Sequence, residues 1–205
     1  MLNTNDSSEL YRLRTVFLLI DVVRMVEHGT FTRDHSERVA DSAVLVAKRY
    51  GMPQKLLGIV WRSAILHDIG KIGVGNDIIF SKSKLSPGAF YIVQQHPVFG
   101  HELLRRTGSL QLEAEIILQH HECWDGSGYP NGIRGNDILL GAKIISIVDT
   151  FDALVSSRGY KQNWTFDSAY NYIKKNVNKK FCESVFYSFS HVYKKGGLDS
   201  IYKRR

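Results

Sequence analysis

Seven histidine and aspartate side chains are the part of this sequence best suited to chemistry. They are His35, His67, Asp68, His96, His120, His121 and Asp149. Imidazole and carboxylate groups together suit iron, manganese, zinc or nickel, and no cysteine set competes for that role. An isolated His-Asp pair occurs in many proteins without a metal, so the pair at 67–68 gains meaning from the other five residues. Seven groups exceed the needs of one four-coordinate zinc and suit two metals that share a carboxylate, an arrangement that can clamp a phosphodiester.

The composition describes an ordinary globular chain, long enough for one domain with a substantial core. Of 205 residues, 43% are hydrophobic and 23% are charged, as in soluble globular proteins. The net charge of +7 favours an anionic partner such as a nucleotide, a nucleic acid or an acidic membrane surface, without deciding among them. Cys123 and Cys182 lie far apart in the sequence, which argues against a disulfide scaffold and suits the reducing cytoplasm, the location that we predict.

No segment is expected to insert into a membrane. The longest apolar run near the start, residues 16–20, is soon followed by Asp21 and Arg24. It is too short to span a bilayer, and its flanks lack the layout of a signal peptide.

The apolar spacing predicts an all-α chain, because no segment alternates strictly between apolar and polar residues. Helices are expected at about residues 9–27, 34–50, 54–68, 86–96, 98–106, 112–122, 140–155, 165–176 and 182–193. Asp34 is expected to cap the second helix, with Glu37 as its capping-box partner, and Ser86 and Thr165 to cap two later helices. Residues 73–80 are the single strand candidate, and the basic segment from 194 onwards is expected to be loose.

The candidate histidines fall at predicted helix ends or boundaries. Pro97 restricts the backbone of His96 to a boundary conformation. Side chains of adjacent helical residues point about 100° apart. His120 and His121 could therefore share one site only around a bulky target or at a frayed helix end.

Two aspartates of the apolar helix at 140–155 are spaced to be neighbours. Asp149 and Asp152 are three residues apart, which places them close together on a helix surface. Because Val148 and Phe151 flank this position, an aspartate here is expected to be partly buried and to need a cation or a hydrogen-bond donor.

The order of these motifs resembles that of the HD-GYP family, bacterial all-α phosphodiesterases of the HD superfamily that degrade cyclic di-GMP. The motifs are His35, His67-Asp68 with Gly70-Lys71, His96-Pro97, His120-His121-Glu122, residues 125–130 with Gly128-Tyr129-Pro130, and Asp149 with Asp152-Ala153. The resemblance covers about residues 28–165, and six motifs in one order make it specific. It implies an HD-superfamily helical bundle with a binuclear metal site. The implied division is an N-terminal helical extension at 1–27, a catalytic domain at 28–195 and a basic tail at 196–205.

The resemblance implies a ligand set for two divalent ions, with iron or manganese favoured. One ion would take His35, His67, Asp68 and Asp149. The second ion would take His96, His120 and His121, with Asp68 bridging the pair.

The resemblance also implies roles for residues around the metals. Lys71 would orient the attacking water or stabilise the phosphate, so Lys71 and Asp68 are the expected catalytic residues. Tyr129, Arg158 and Lys161 would contact the cyclic dinucleotide, and Asp152 would pair with Lys71 or face the substrate. Each has a simpler alternative, since the tyrosine could only pack its loop and the two basic residues could be solvated.

The sequence departs from the family pattern at several places. Phe31 stands where some members have a glutamate that holds a third metal, so two metals are expected. Gly75 and Lys82 replace prolines that are more usual in the segment 72–85, and Gly159 replaces another. Loss of these prolines leaves the loops freer.

The implied function is metal-dependent hydrolysis of cyclic di-GMP to linear pGpG and/or GMP in bacterial second-messenger signalling. The expected partners are cyclic di-GMP and a GGDEF-type or other signalling protein, and no nucleic acid polymer. Cyclic GMP-AMP is an alternative substrate. A catalytically idle module that binds the dinucleotide or a partner protein is the alternative from another class, and a nucleotide-monophosphate hydrolase is a weaker third.

Overall fold

A computed structural model describes residues 4–28, 34–81, 83, 85–156 and 164–202, and within these ranges the chain is helical without a strand. The all-α prediction is therefore confirmed. The helices are α1 (Thr4–His28), α2 (His35–Tyr50), α3 (Gln54–Leu66), α4 (Asn76–Ile79), α5 (Pro87–Val93), α6 (His96–Arg106), α7 (Gln111–Leu118), α8 (Leu140–Val155), α9 (Phe166–Lys175), α10 (Glu183–Lys194) and α11 (Asp199–Tyr202). Two 3-10 turns lie at Ile69–Gly73 and Gly135–Asp137.

Helices α2 and α8 form the centre of the bundle. Helix α2 packs against α3, α8 and α10, and its Val39, Ala43 and Val46 are completely buried. It ends at Gly51, whose φ of 91° is a left-handed conformation that glycine adopts at little cost. Helix α8 is mostly buried along its length because its apolar residues occupy several faces, which fixes the carboxylates that it carries.

The predicted extension at 1–27 packs on the rest of the bundle within its described part. Val16, Ile20 and Val23 of α1 are buried in the common core, where α1 packs against α3 and the turn Ile69–Gly73. Glu27, at the end of α1, accepts hydrogen bonds from the backbone N–H and the hydroxyl of Ser36 at 2.9 and 2.6 Å. This helix therefore supports the start of α2.

The predicted capping box at the start of α2 is wrong. Asp34 makes no side-chain capping bond and has a φ of 59°, while Glu37 pairs with Arg24 of α1 at 2.7 Å. The backbone N–H of Ser36, which has no acceptor within the first turn of the helix, instead donates to Glu27 of α1. A tertiary contact therefore takes the place of the local cap. The caps predicted at Ser86 and Thr165 are confirmed, since each side chain accepts a backbone N–H bond.

Two further segments differ from their predictions. Residues 73–80 form no strand but complete a 3-10 turn and form the short helix α4. The strand prediction failed because a short apolar run carries no clear periodicity. The described part of the segment expected to be a loose tail folds back and ends in α11, with Leu198 just before this helix and Ile201 within it both buried. Tyr202 packs edge-on against Phe151.

No helix in the described ranges is both long enough and apolar enough to span a bilayer.

Candidate metal centre

Three histidines are oriented by the same backbone contact at the ends of helices. Nδ1 of His67 lies 2.7 Å from the Ala64 carbonyl oxygen. His96 and His120 repeat this contact with the carbonyls three residues before them, at 2.8 and 2.6 Å. These carbonyls belong to the last turns of α3, α5 and α7, where helix carbonyls lack partners within the helix. A proton on each Nδ1 satisfies the carbonyl and leaves Nε2 as a free ligand atom pointing into the site.

The first cluster of ligand atoms, which we call the His35 group, consists of His35, His67 and Asp149. Nε2 of His35 lies 3.3 Å from Nε2 of His67 and 3.4 Å from Oδ1 of Asp149. Two ligand atoms at about 2.0–2.2 Å from one ion are separated by roughly 3.0–3.5 Å. The observed spacing therefore fits atoms gathered around a single cation.

The second cluster, the His96 group, consists of His96, His120 and His121. Nε2 of His96 lies 3.3 Å from Nε2 of His120. The adjacent residues His120 and His121 both reach this cluster because they lie beyond the end of α7. The helix has ended before both residues, which corresponds to the second of the two conditions stated above for them to share one site.

Asp68 lies between the two groups and offers one carboxylate oxygen to each. Its Oδ2 is 3.4 Å from Nε2 of His67 and 3.8 Å from Nε2 of His35. Its Oδ1 is 3.3 Å from Nε2 of His96. A carboxylate divided in this way has the geometry of a bridge between two cations.

Asp152 holds His35, in a different role from the one predicted. Its Oδ2 lies 2.7 Å from Nδ1 of His35, and Arg38 donates to both of its oxygens at 2.6 and 3.0 Å. Because Asp152 is 1% exposed and fully engaged, it neither pairs with Lys71 nor faces a substrate. Its position on the far side of His35 makes it a positioning residue.

The two groups differ in their electrostatics. For His35, burial favours the neutral ring, but hydrogen bonds with Asp149 and Asp152 outweigh it and raise the pKa to about 10. In the His96 group burial prevails and lowers the pKa of His96 to about 4 and that of His121 to about 3. The His35 group therefore attracts positive charge, which a metal cation can supply in place of a proton, whereas the His96 group offers neutral ring nitrogens.

The carboxylates of the centre remain ionised. Burial would raise the pKa of Asp68, but Lys71 and the surrounding histidines hold it well below its usual value. The hydrogen bond with His35 does the same for Asp149. Asp152 follows the same pattern, and its bonds with His35 and Arg38 lower its pKa to about 2. Ionised carboxylates and neutral Nε2 atoms are the forms in which these side chains bind metals, so the donor set fits two divalent cations.

Lys71 lies beside the bridging carboxylate, as its predicted role requires. Its ammonium group donates to Oδ2 of Asp68, and its side chain is 28% exposed. Gly70, the preceding residue, packs against the start of α6 so closely that a Cβ atom would overlap the His96 carbonyl oxygen and the Gly100 nitrogen. Close approach at this glycine brings Asp68 and His96 together.

The loop at 122–135 places an aromatic wall beside the His96 group. The ring of Tyr129 stacks on that of His121, with centroids 4.8 Å apart. A Cβ atom at Gly128 would collide with the backbone nitrogen of Cys123, so this glycine allows the loop to lie flat on the chain after His121. Glu122 is buried and accepts the backbone N–H groups of Asn131 and Gly132 at 2.7 and 3.1 Å, which closes the loop.

Some of the predicted site residues cannot be placed. Arg158, Lys161 and Gly159 lie outside the described residues, as do Phe31 and Lys82. The structure brings together all seven predicted ligands with Lys71 and Tyr129. The sequence reasoning missed the positioning roles of Arg38 and Glu122, although the spacing of Arg38, one helical turn after His35, was an available signal.

Comparison with known proteins agrees with this arrangement. A family model described as HD domain matches residues 20–185. A cyclic di-GMP phosphodiesterase of Thermotoga maritima is 35% identical over 193 residues, which are 92% of this chain and 52% of that protein. The cyclic di-GMP phosphodiesterase response regulator RpfG of Xanthomonas campestris pv. campestris is 40% identical over 139 residues, 67% of this chain and 37% of that protein.

A solved structure shows the same fold. The cyclic GMP-AMP-specific phosphodiesterase of V. cholerae superposes with a TM-score of 0.67 and 15% identity, covering 92% of this chain and 53% of that chain.

The chain therefore belongs to the HD domain family. The predicted resemblance to the HD-GYP phosphodiesterases is confirmed by these relatives. The chain spans about half the length of the Thermotoga relative and less of the Xanthomonas one.

Proposed function

We propose that this chain is a metal-dependent phosphodiesterase that hydrolyses cyclic di-GMP to linear pGpG and/or GMP. The division of the Asp68 carboxylate between two histidine groups is the observation that carries this proposal. The two relatives described above point in the same direction, since both are cyclic di-GMP phosphodiesterases.

The two groups define the proposed ligand sets. The His35 group with Oδ2 of Asp68 would hold one cation, and the His96 group with Oδ1 would hold the other. Iron or manganese is the proposed metal, because imidazole and carboxylate donors suit both and the described centre contains no thiolate ligand. When bound, two such ions supply Lewis acidity at the phosphate and lower the pKa of a water molecule.

The chain's own residues would position the substrate and neutralise its charge. Lys71 places an ammonium group beside the bridging carboxylate, where it would orient the attacking water or donate to a phosphate oxygen. Tyr129 lines the opposite side through its stack on His121 and would contact a guanine or the ribose. Arg158 and Lys161 remain the proposed basic contacts to the dinucleotide.

A turnover assay with a matched variant pair tests the proposal. The purified chain is loaded with Mn²⁺ or Fe²⁺ and incubated with cyclic di-GMP and, separately, cyclic GMP-AMP, and the products are separated by chromatography. We expect pGpG and/or GMP, a preference for cyclic di-GMP, and loss of turnover in His67→Ala. His191→Ala is the control, because His191 is exposed on α10.

Three outcomes would contradict parts of this proposal. Tight binding of an intact dinucleotide in the presence of metal would instead establish a catalytically idle binding module. Faster hydrolysis of cyclic GMP-AMP would overturn the substrate assignment but leave the reaction class intact. Equal activity of His67→Ala and wild type would overturn the metal centre itself.

A further inference from the structure

Helix α1 is apolar on two opposite sides, and only one of them is covered within the described chain. Val16, Ile20 and Val23 face the core with exposures of 3–5%. Six large apolar residues of α1 are exposed: Leu10 at 50%, Tyr11 at 58%, Leu13 at 43%, Phe17 at 66%, Leu18 at 69% and Met25 at 74%. At 100° per residue, Tyr11, Leu18 and Met25 lie opposite the core side, and Leu10 and Phe17 lie beside them. The outer side of α1 is therefore an interaction surface.

The outer side has a regular seam. Tyr11, Leu18 and Met25 are seven residues apart and form a line along the helix. Arg14 and Asp21 fall between them at spacings of three and four residues, and both are exposed. Leu10 and Phe17 flank this line. The seam is therefore an apolar stripe that contains one positive and one negative charge.

The charges of the seam distinguish between two ways of pairing it with a second copy. In a parallel pair the same residues meet, so Arg14 would face the partner's Arg14 and Asp21 would face the partner's Asp21. In an antiparallel pair related by a two-fold axis midway between Phe17 and Leu18, Arg14 faces the partner's Asp21. Symmetry repeats that contact, and two opposite-charge pairs flank the apolar centre.

The same antiparallel arrangement is complementary in its apolar residues. It places Leu10 opposite the partner's Met25 and Phe17 opposite the partner's Leu18. The exposed apolar side chains of the seam and its flanks supply apolar area toward the roughly 800 Å² per partner of a standard interface. Within the described chain Arg14 has no ion-pair partner, whereas Asp21 has an exposed contact with Arg24 at 3.6 Å.

We infer that two copies of this chain associate through antiparallel α1 helices, with Arg14 of each copy paired to the partner's Asp21. No residue of this interface is one of the proposed metal ligands, and this inference does not depend on the proposed function. A second copy of the chain is the proposed partner, because the outer side of α1 carries both the apolar residues and the opposite charges that the pairing needs.

Sedimentation equilibrium of the full chain from about 1 to 200 μM tests the interface, a range that covers associations of micromolar strength. We expect a concentration-dependent dimer. Leu18→Lys, which places a charge at the centre of the seam, should raise the dissociation constant at least about thirty-fold. Tyr187→Lys is the matched control, since Tyr187 is 64% exposed on α10, and it should leave association and turnover unchanged.

A charge-reversal cycle tests the antiparallel orientation. Arg14→Glu alone and Asp21→Arg alone each create two like-charge contacts and should weaken the dimer by about three- to ten-fold. The double variant restores both contacts and should return to the wild-type dissociation constant. In a parallel pair the double variant would gain nothing, because like charges would still face each other.

Several results would overturn the inference. A wild-type chain that remains monomeric at the highest concentration excludes the dimer and leaves the outer side of α1 to a different partner. A dimer that is unaffected by Leu18→Lys lies elsewhere on the surface. Failure of the double charge variant to recover association, with circular dichroism unchanged, excludes the antiparallel orientation.

Discussion

The two halves of the metal centre hold their histidines by different means. In the His96 group the ring orientation of His96 and His120 comes from helix-end carbonyls, which are part of the backbone, and His121 stacks on Tyr129. In the His35 group His67 is held in the same way, but His35 depends on the Asp152 carboxylate and, behind it, on Arg38. Backbone carbonyls therefore position two histidines of the His96 group, whereas His35 is positioned by an ion-paired side chain that a single substitution can remove.

The halves also differ in charge. The His35 group contains a carboxylate of its own, Asp149, while the His96 group has only the oxygen that Asp68 lends it. Because opposite charge stabilises a bound cation more than a neutral nitrogen does, the His35 group should retain its ion more strongly. The His96 group should therefore lose its metal more easily, whereas the His35 group should lose its ligand geometry more easily.

The largest effect is expected where the halves join. Asp68→Asn keeps the shape of the side chain but removes the charge that both groups share. We expect the metal content to fall from about two ions per chain to fewer than one, and turnover to fall by more than about 10³-fold. Elemental analysis together with the cyclic di-GMP assay checks this. Retention of two ions would show that the halves bind independently of the bridge.

The next effect separates the halves. His121→Ala should leave about one ion per chain, in the His35 group. Asp149→Asn should weaken metal binding in the His35 group, which is expected to be the stronger half, so this variant should lose more metal at the same chelator concentration. Either change should reduce turnover by more than about 100-fold, since the proposed reaction needs both cations. Titration with a chelator, followed by metal analysis, gives the order of loss. An ion that remains in Asp149→Asn but leaves His121→Ala would reverse the assignment of the stronger half.

A smaller effect is expected from the side-chain support of His35. Asp152→Asn keeps a hydrogen-bond acceptor but removes the charge opposite Arg38, so metal affinity at the His35 group should fall about 10- to 100-fold. Turnover should recover at high metal concentration, which loss of a catalytic group would not allow. Asp137→Asn, at an exposed position, is the control. A turnover defect in Asp152→Asn that excess Mn²⁺ does not relieve would show a direct role in the reaction.

The smallest effect concerns the aromatic wall of the His96 group. Tyr129→Phe retains the ring stacked on His121 and should change KM by less than about three-fold, while Tyr129→Ala should raise it about ten-fold through loss of stacking. Steady-state kinetics of the two variants distinguishes these results. A large defect in Tyr129→Phe would assign the hydroxyl a role beyond packing.

The sequence predicted which histidines and aspartates lie together better than it predicted the residues that support them, for a physical reason. Histidines and aspartates can be recognised as candidate ligands from residue type alone, and the order of the family motifs indicated how they group. The supports depend on which side of a helix faces which neighbour, and the spacing of Asp149 and Asp152 could not show that only the first faces the metals. The same limit explains the false capping box at Asp34, because Glu27 reaches Ser36 from another helix.

Fold predictions failed where segments were short or depended on distant contacts. The residues at 73–80 were too few for helical and strand periodicity to differ. The segment after 194 contains many basic residues, and composition alone suggested a loose tail. Leu198 and Ile201 are nevertheless buried, and Tyr202 packs against Phe151, and composition does not reveal these contacts.

The helix-end carbonyls that orient His67, His96 and His120 have an entropic consequence. A histidine on a flexible loop would lose rotamer freedom when it captured an ion, and that loss would subtract from the binding free energy. Here the three rings are already immobilised when the chain folds. Each ordered side chain spares roughly 0.5–1.5 kcal/mol of ordering cost at the moment of binding. The conformational entropy of the ligands is thus lost during folding, and the centre meets its cations as a rigid receptor.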